Sequence, residues 1–286
     1  MSEIIKILSW NVEHFKSETK ALRVAEIIRL YNPDIFGLYE VEHARIYQFM
    51  MEHFPNHTLF ITEGQQSQEI LVACSNRFEG IKFNQKKEFS TGNPSLRPGA
   101  FLTFRYPGKD IYAFLFLHTD SGTTAVDFGN RTEMFGHLFN LKRQLDKVEG
   151  KATNFIALGD FNTMGLKYPR QVKSNLIAKT LTELDYIKIE SNKKGEGKYE
   201  GLIPDLRLLT KPAGTHFGKS TGISDLDHIL CSSHLKFKLQ SNYSTTKKSE
   251  IRLDGWRQFS GNKPSLEKFA DEVSDHCLMY CELKVG

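Results

Sequence analysis

The sequence predicts a single α/β domain built on sheets of mixed strand direction. Three observations lead there. Short, nearly continuous apolar runs recur along the chain, as in strands buried on both faces. Amphipathic helical segments fall between them. Polar residues of the acid–base type flank the strands, following the strand in four cases and preceding it in two. If all six reach one rim, strands must cross the sheets in both directions, which excludes an all-parallel sheet.

Taken in order, IIKILSW (4–10) reads as the first strand. Residues 17–31 read as a helix, with Ser17 as N-cap, Leu22, Ala25, Ile27 and Ile28 as its apolar stripe, and Asn32-Pro33 as its stop. IFGLY (35–39) is a strand, 43–54 a helix, and HTLFIT (57–62) and EILVACS (69–75) are strands. AFLTFRY (100–106) and IYAFLFL (111–117) follow as strands. A helix over 130–148 carries Phe135, Leu138, Phe139, Leu141 and Leu145 on one face. NFIALG (154–159) is a strand, a further helix is expected near 171–184, and LDHILC (226–231) and HCLMYCEL (276–283) close the set.

Composition bounds the class. Of 286 residues, 40% are hydrophobic and 25% charged, and mean hydropathy is −0.40. These values exclude disordered and collagen-like chains, and no apolar run approaches the roughly 20 residues of a membrane span. A chain of this length buries roughly 75% of its unfolded surface, so it folds without a disulfide or metal staple. No fixed-period repeat, low-complexity tract or linker divides it, so residues 1–286 are expected to form one domain.

The start, MSEIIKILSWN, lacks the pattern of a signal peptide. Cys74, Cys231, Cys277 and Cys281 form no C-x-x-C pair, so reduced thiols and a cytoplasmic location are expected. Cys277 and Cys281 lie in an apolar run and read as small buried hydrophobes. Net charge is +4. Residues 234–263 carry seven Lys/Arg against two acids, and 186–222 carry seven against four. Both segments are weakly periodic, so they read either as solvated loops or as a basic rim for a polyanion.

The polar residues at strand ends carry the chemistry. ILSW runs into Asn11, IFGLY into Glu40, AFLFL into His118, and FIALG into Asp160 and Asn162. Asp227 opens the strand at 226–231, and Asp275-His276 leads into the last one. Any one of these is an ordinary turn former. Together they offer hard oxygen donors and an imidazole, a set suited to Mg²⁺ or Mn²⁺. No Cys/His cluster suits zinc. In Asp160-Phe161-Asn162 the two polar residues point the same way in an extended chain while Phe161 turns inward.

ILSWNVE (7–13), LYE (38–40), HTDSG (118–122), GDFN (159–162), LDHIL (226–230) and SDH (274–276) resemble, in order, the motifs of the endonuclease/exonuclease/phosphatase superfamily, the DNase I-like fold. The resemblance spans residues 7–276. It implies a four-layer α/β/β/α sandwich of two mixed β-sheets flanked by helices. It also implies hydrolysis of phosphate esters dependent on a divalent metal. By the same resemblance Glu40 is the main metal carboxylate, with Asn11 beside it and Asp275 assisting. Asp160 and Asn162 orient the attacking water and the scissile phosphate. His276 is the base or phosphate-stabilising histidine, Asp227 orients it, and His118 is the second histidine near the phosphate. Two departures stand out: Tyr39 replaces the usual Gln before the acid, and position 13 is Glu where some nucleases have Asp. His118 sets the chain apart from many abasic-site repair members, which carry a Tyr-containing motif there.

Three residues are candidate substrate contacts. Arg97 sits in a Pro/Gly loop, SLRPGAF, within reach of a phosphate or as an ordinary surface Arg. Arg131, with Asn130, is expected to open a helix and bind an anion there. Trp256, with Phe259, lies among Arg252, Arg257 and Lys263, as a stacking platform or as a loop anchor. The expected function is a Mg²⁺- or Mn²⁺-dependent phosphodiesterase with nucleic acid as substrate, most simply an endonuclease. The alternatives are an intracellular phosphatase or phosphodiesterase for a small or lipid-headgroup ester, and a non-catalytic binding module. No membrane span and no obligate protein partner are expected.

Overall fold

The computed structural model describes residues 3–64, 68–90, 93, 96–166, 182–242, 245–259 and 261–286. Among them, two six-stranded sheets form the body of the chain. The first contains β1 (Ile4–Phe15), β2 (Ile35–Val41), β3 (His57–Ile61) and β4 (Glu69–Ser75). The second contains β5 (Glu79–Lys86), β6 (Gly99–Arg105), β7 (Ile111–His118), β8 (Asn154–Asp160), β9 (Leu206–Leu208) and β12 (Asp227–Ser232). β10 (His216–Gly218) and β11 (Gly222–Ser224) make a separate hairpin, as do β13 (Gln240–Asn242) and β14 (Thr245–Ser249). β15 (Arg252–Asp254) and β16 (Leu278–Lys284) complete the first sheet.

Strand order is β15-β16-β1-β2-β4-β3 in one sheet and β5-β6-β7-β8-β12-β9 in the other. β1 and β2 are parallel, as are β7 and β8, and the remaining pairs are antiparallel. The sheets are therefore mixed, as the flanking polar residues require. β8 ends at Asp160 and antiparallel β12 begins at Asp227, so these two residues pair directly in register.

Alternate residues of each strand enter different cores. Ile5 and Ile7 face the layer between the sheets, with Leu102, Phe114, Ile156 and Ile229. Leu8 and Trp10 face the other way, against Val24, Ala25, Ile28, Ile46 and Met50. The latter belong to α1 (Glu18–Tyr31) and α2 (Ala44–His53). On the far side, Phe101, Leu115 and Phe155 pack on Phe135, Leu138 and Phe139 of α3 (Ala125–Glu149) and on Ile187 of α4 (Glu183–Asn192). The result is helices, sheet, sheet, helices. Burial on both faces explains why the strand sequences are apolar throughout rather than alternating.

Several boundaries differ from expectation. Ser17 caps α1 through Lys20 N, and Asn32 ends it in the left-handed region, as expected. The buried stripe, however, is Ala21, Val24, Ala25 and Ile28, while Leu22 is exposed. α3 starts at Ala125 rather than 130, because Thr124 and Asp127 form a reciprocal capping box. The helix expected near 171–184 falls mostly outside the described residues, and α4 begins at Glu183 with Thr182 as its cap. The short strands β9, β10, β11, β13, β14 and β15 were not anticipated, nor were two longer elements. β5 is a half-exposed edge strand of mixed polarity, and α5 (Lys263–Glu272) is capped by Asn262 with Pro264 in its first turn. The four cysteines are buried and unpaired. No helix among the described residues is long and apolar enough to cross a membrane.

Candidate active site

The ends of β1, β2, β7, β8 and β12 meet at one rim with the segment leading into β16. Backbone irregularity aims the side chains there. Register shifts interrupt β1–β2 pairing between Asn11 and Phe15 and β2–β4 pairing between Leu38 and Val41. Glu13, His14, Glu40 and Asn162 all hold positive φ, at 43°, 47°, 64° and 43°. Non-glycine residues hold such angles only where surrounding structure enforces them, and such strain clusters at functional sites. Gly159, at φ 146°, has no substitute: a Cβ there would lie 1.9 Å from the Leu117 carbonyl oxygen.

Asn11 sits at the centre, fully buried. Its Nδ2 donates to Glu40 Oε1 at 3.0 Å and to Asp160 Oδ2 at 2.9 Å, so one amide bridges two carboxylates. Its Oδ1 accepts from Glu13 N at 2.9 Å. The other Glu40 oxygen accepts from His14 N at 3.0 Å and from Gln68 Nε2 at 3.2 Å. Asp160 Oδ1 accepts from Asn162 N at 3.0 Å, and Asn162 Nδ2 donates to the Thr119 carbonyl at 3.0 Å.

His276 Nδ1 pairs with Asp227 Oδ2 at 2.8 Å. Its Nε2 lies 3.8 Å from both Asp160 Oδ2 and Asp275 Oδ1. Burial alone would lower the imidazole pKa. The surrounding carboxylates of Asp227, Asp160 and Asp275 outweigh it and raise the pKa above its ordinary value. Burial and repulsion from Asp227 raise Asp160, while His276 and the bonds from Asn11 and Asn162 oppose the rise. Burial would raise Asp227 too, but the imidazolium charge and its hydrogen bond hold it below the usual range. His118 lies 3.6 Å from Asp160 Oδ2 and 3.8 Å from Glu40 Oε1. Burial, Arg97 and His276 push it well below its ordinary pKa, so it is neutral and these contacts are not ion pairs. Its Nδ1 is buried without a hydrogen-bond partner.

The donor set fits a hard divalent cation. Glu40, Asp160, Asp275 and Glu13 supply carboxylate oxygens, while Asn11 turns its Nδ2 to Glu40 and Asp160 and its Oδ1 to Glu13 N, and so orients them. The Glu13 carboxyl is raised by burial and then by repulsion from Asp275 and Glu40, with Lys20 opposing the rise. Two close clusters of potential ligands are Asp160–Asp227–His276 and His216–Asp275–His276. His276, held as an imidazolium, repels a cation, so the oxygens around Glu40 and Asn11 are the better fit.

The candidate substrate contacts divide. Arg97 is half-buried and donates to Gln68 Oε1, which places it one residue from Glu40; its Nε is buried without a partner. Arg131 is different. It lies in the second turn of α3, fully buried, and pairs with Glu183 at 2.6 Å. Its other donors reach the carbonyls of Asp120, Gly122 and Gly165. It cements the loops after β7 and β8 and has no donor left for an anion. Asn130 is likewise engaged, with Asp120 Oδ2 at 2.7 Å. Trp256 is fully buried between the sheets and packs on Phe217 at 5.7 Å, so it anchors its loop and stacks on no base.

Parts of the two basic segments lie away from the rim, although Lys211 reaches the Asp227 carbonyl and His216 reaches Asp275. Lys238 N and Lys284 N bond to Glu282 and Lys236 carbonyls, which places 236–238 at the end of β16 remote from His276. Arg143 NH2 donates to the Lys193 carbonyl and Lys147 Nζ to that of Lys198, which places 193–198 by the last turns of α3, far from His118.

The sequence reading missed supporting residues. Tyr39, where the family has Gln, crosses from β2 to donate to the Leu158 carbonyl of β8 at 3.0 Å, locking sheet to sheet. Ser274 Oγ donates to the Asn11 carbonyl at 2.7 Å and accepts from His276 N at 2.9 Å. Gln68, Thr215 and His216 also contact the site. Tyr39 was visible as a departure in a motif and Ser274 as part of SDH; Gln68, Thr215 and His216 sit in short loops and strands with no periodic signal.

The sequence matches the Endonuclease/Exonuclease/phosphatase family over residues 8–276. No curated protein matches it. Solved structures that share the fold include the following three. D. rerio TDP2 complexed with single strand DNA product is 13% identical, covering 99% of this chain and 100% of that one, with a TM-score of 0.64. The human Nocturnin catalytic domain with bound sulfate anion is 15% identical, covering 98% and 93%, at 0.64. The mannosyl-6-phosphatase of Bacteroides thetaiotaomicron is 14% identical, covering 98% and 100%, at 0.60. At these identities the likeness is one of fold.

Proposed function

The chain belongs to the Endonuclease/Exonuclease/phosphatase family, and from that premise we propose that it is a divalent-metal-dependent phosphodiesterase acting on nucleic acid. The observation that carries hydrolysis is the convergence of Asn11, Glu40, His118, Asp160, Asn162 and the Asp227–His276 pair from two sheets onto one rim. Nucleic acid as substrate is supported by the DNA product bound to the TDP2 relative. A cytoplasmic location is supported by the unpaired cysteines.

Glu40 and Asp275 would hold Mg²⁺ or Mn²⁺, with Asn11 orienting Glu40 through its Nδ2; when bound, the ion supplies Lewis-acid polarisation of the phosphoryl oxygen and relief of leaving-group charge. Asp160, its pKa raised toward neutrality, suits the base that accepts a proton from the attacking water. The new P–O bond forms to that water as the ester P–O bond breaks. His276, cationic and fixed by Asp227, donates its Nε2–H to a phosphoryl oxygen as negative charge builds. Asn162 holds the Asp160 carboxylate through its backbone N–H, and Arg97 would clamp a further phosphate oxygen, a role supported by its bond to Gln68 beside Glu40.

A second reading, a small phosphate ester as substrate, is favoured by one observation: the Lys/Arg-rich segments at 193–198 and 236–238 lie remote from the rim. The test compares hydrolysis of plasmid, single-stranded DNA, RNA and a small phosphodiester across a salt series. Cleavage of nucleic acid that weakens steeply with salt supports the first reading. Intact nucleic acid with salt-insensitive ester hydrolysis supports the second.

A further inference from the structure

The end of the first sheet opposite the candidate active site carries a cavity of about 570 Å³. It opens where β1 and β2 begin, β4 ends, and α1 and α2 run out. Lys6 lies five residues before Asn11 on β1, so roughly 17 Å of extended strand separates the cavity from the rim. Its volume falls in the range of small-molecule pockets, roughly 300–1,000 Å³.

Lys6, Arg29 and Arg77 line this cavity with one carboxylate, Asp34. That carboxylate is already engaged: Oδ1 lies 2.7 Å from Arg77 Nε, and Oδ2 accepts from Lys6 N at 2.8 Å. Arg77 Nη2 donates to the Ile4 carbonyl at 2.7 Å, and the guanidinium lies over the Phe78 and Tyr106 rings. The group is thus fixed in place, with Nη1 bonded to no described residue. Arg29 gives only Nη2, to the His53 carbonyl. Lys6 Nζ has no hydrogen-bond or ion-pair partner among the described residues; Glu282, beside it on β16, pairs with Lys238 at 2.8 Å. Two helices end here, and free carbonyls at their ends would repel an anion. Those carbonyls are occupied. Asn32 N takes that of Arg29, Phe54 N that of Met50, Arg29 that of His53, and His53 Nδ1 that of Phe49. His57 Nε2 takes the Pro33 carbonyl in the same way. Positive charge is left in excess.

We propose that this cavity binds the phosphate group of a small phosphorylated molecule, with Lys6, Arg29 and Arg77 as donors and Pro33, Phe54 and Pro55 against the uncharged remainder. A phosphate monoester brings close to two negative charges and three acceptor oxygens, which answers three cations left facing one satisfied carboxylate. The two guanidinium groups offer paired N–H donors to phosphate oxygens, and Lys6 adds a point charge. The site shares no residue with the candidate active site and binds its ligand whatever the protein hydrolyses.

The test follows the imidazole NMR signals of the full chain at fixed pH. Inorganic phosphate and adenosine monophosphate are the probes, with sodium chloride at matched ionic strength as control. His53 and His57 line this cavity, while His118 and His276 report on the candidate active site. The proposal predicts saturable shifts of His53 and His57 with both probes and not with chloride, and tighter binding of adenosine monophosphate than of phosphate. Lys6→Gln and Arg29→Gln are each expected to weaken that binding about tenfold. Asn56→Asp adds a carboxylate to the lining without removing a cation, and is expected to weaken it at least as much. The His118 and His276 responses and phosphoester hydrolysis are expected to stay as in wild type in all three variants. Absence of a saturable His53 and His57 response in wild type overturns the proposal. So does wild-type affinity in Asn56→Asp or in both cation variants. Adenosine monophosphate binding no tighter than phosphate overturns the role given to Pro33, Phe54 and Pro55.

Discussion

Asp227 opens a strand of one sheet and His276 leads into a strand of the other, yet Oδ2 of one lies 2.8 Å from Nδ1 of the other. The pair therefore exists only when the two sheets are packed. Around it, Tyr39 to Leu158 and Thr215 to Asp227 and Cys277 are further bonds between the same two layers. Sheet packing and assembly of the site are one event.

Replacing His276 by Ala is expected to lower kcat by about 10²–10⁴. Asp227→Asn is expected to lower it too, because the amide neither holds the imidazolium charge nor fixes the ring. Steady-state kinetics on folded protein check both; near-normal turnover in His276→Ala would remove that residue from the mechanism.

The Asp227–His276 pair also predicts how stability of the metal-free protein depends on pH. His276 has a folded-state pKa raised above the ordinary 6.5. Its contribution is then fully present below pH about 6.5 and is lost as pH rises through the raised value. Urea unfolding from pH 6 to 10, with His276→Gln as reference, measures it. A wild type that loses no more stability than His276→Gln over that range contradicts the pairing.

Arg131 is expected to matter for stability and not for substrate. Breaking its buried pair with Glu183 strands a charge and costs about 3–5 kcal/mol. Arg131→Met should unfold at lower urea while the folded fraction keeps its KM. Unchanged stability with a raised KM would restore Arg131 as a substrate contact.

Glu40→Gln is expected to raise the Mg²⁺ or Mn²⁺ concentration needed for half-activity, since the amide loses the charge that draws a hard cation. Direct Mn²⁺ binding by calorimetry provides a second readout. An unchanged titration would place the cation elsewhere.

Much of the site was legible because its residues interrupt apolar runs. Asn11, Glu40, His118, Asp160, Asp227 and His276 each stand where a buried strand meets a polar residue, and the sheets bring them together. What misled was composition without burial. Trp256 among arginines reads equally as a stacking platform or an anchor, and only its place between the sheets decides. Arg131 looked like a helix-opening residue because the start of α3 depends on the Thr124–Asp127 capping box, one turn earlier. Residues 236–238 and 193–198 of the basic segments ended away from the site because pairing along β16 and packing on α3 place them there. His216 lies in a three-residue strand, too short for any period to register.

The most direct test is phosphodiester hydrolysis by wild type and Asp160→Ala, each with and without Mg²⁺ or Mn²⁺. The account predicts cleavage by wild type only with metal, and none by Asp160→Ala under either condition. Cleavage that survives both metal removal and Asp160→Ala would contradict it.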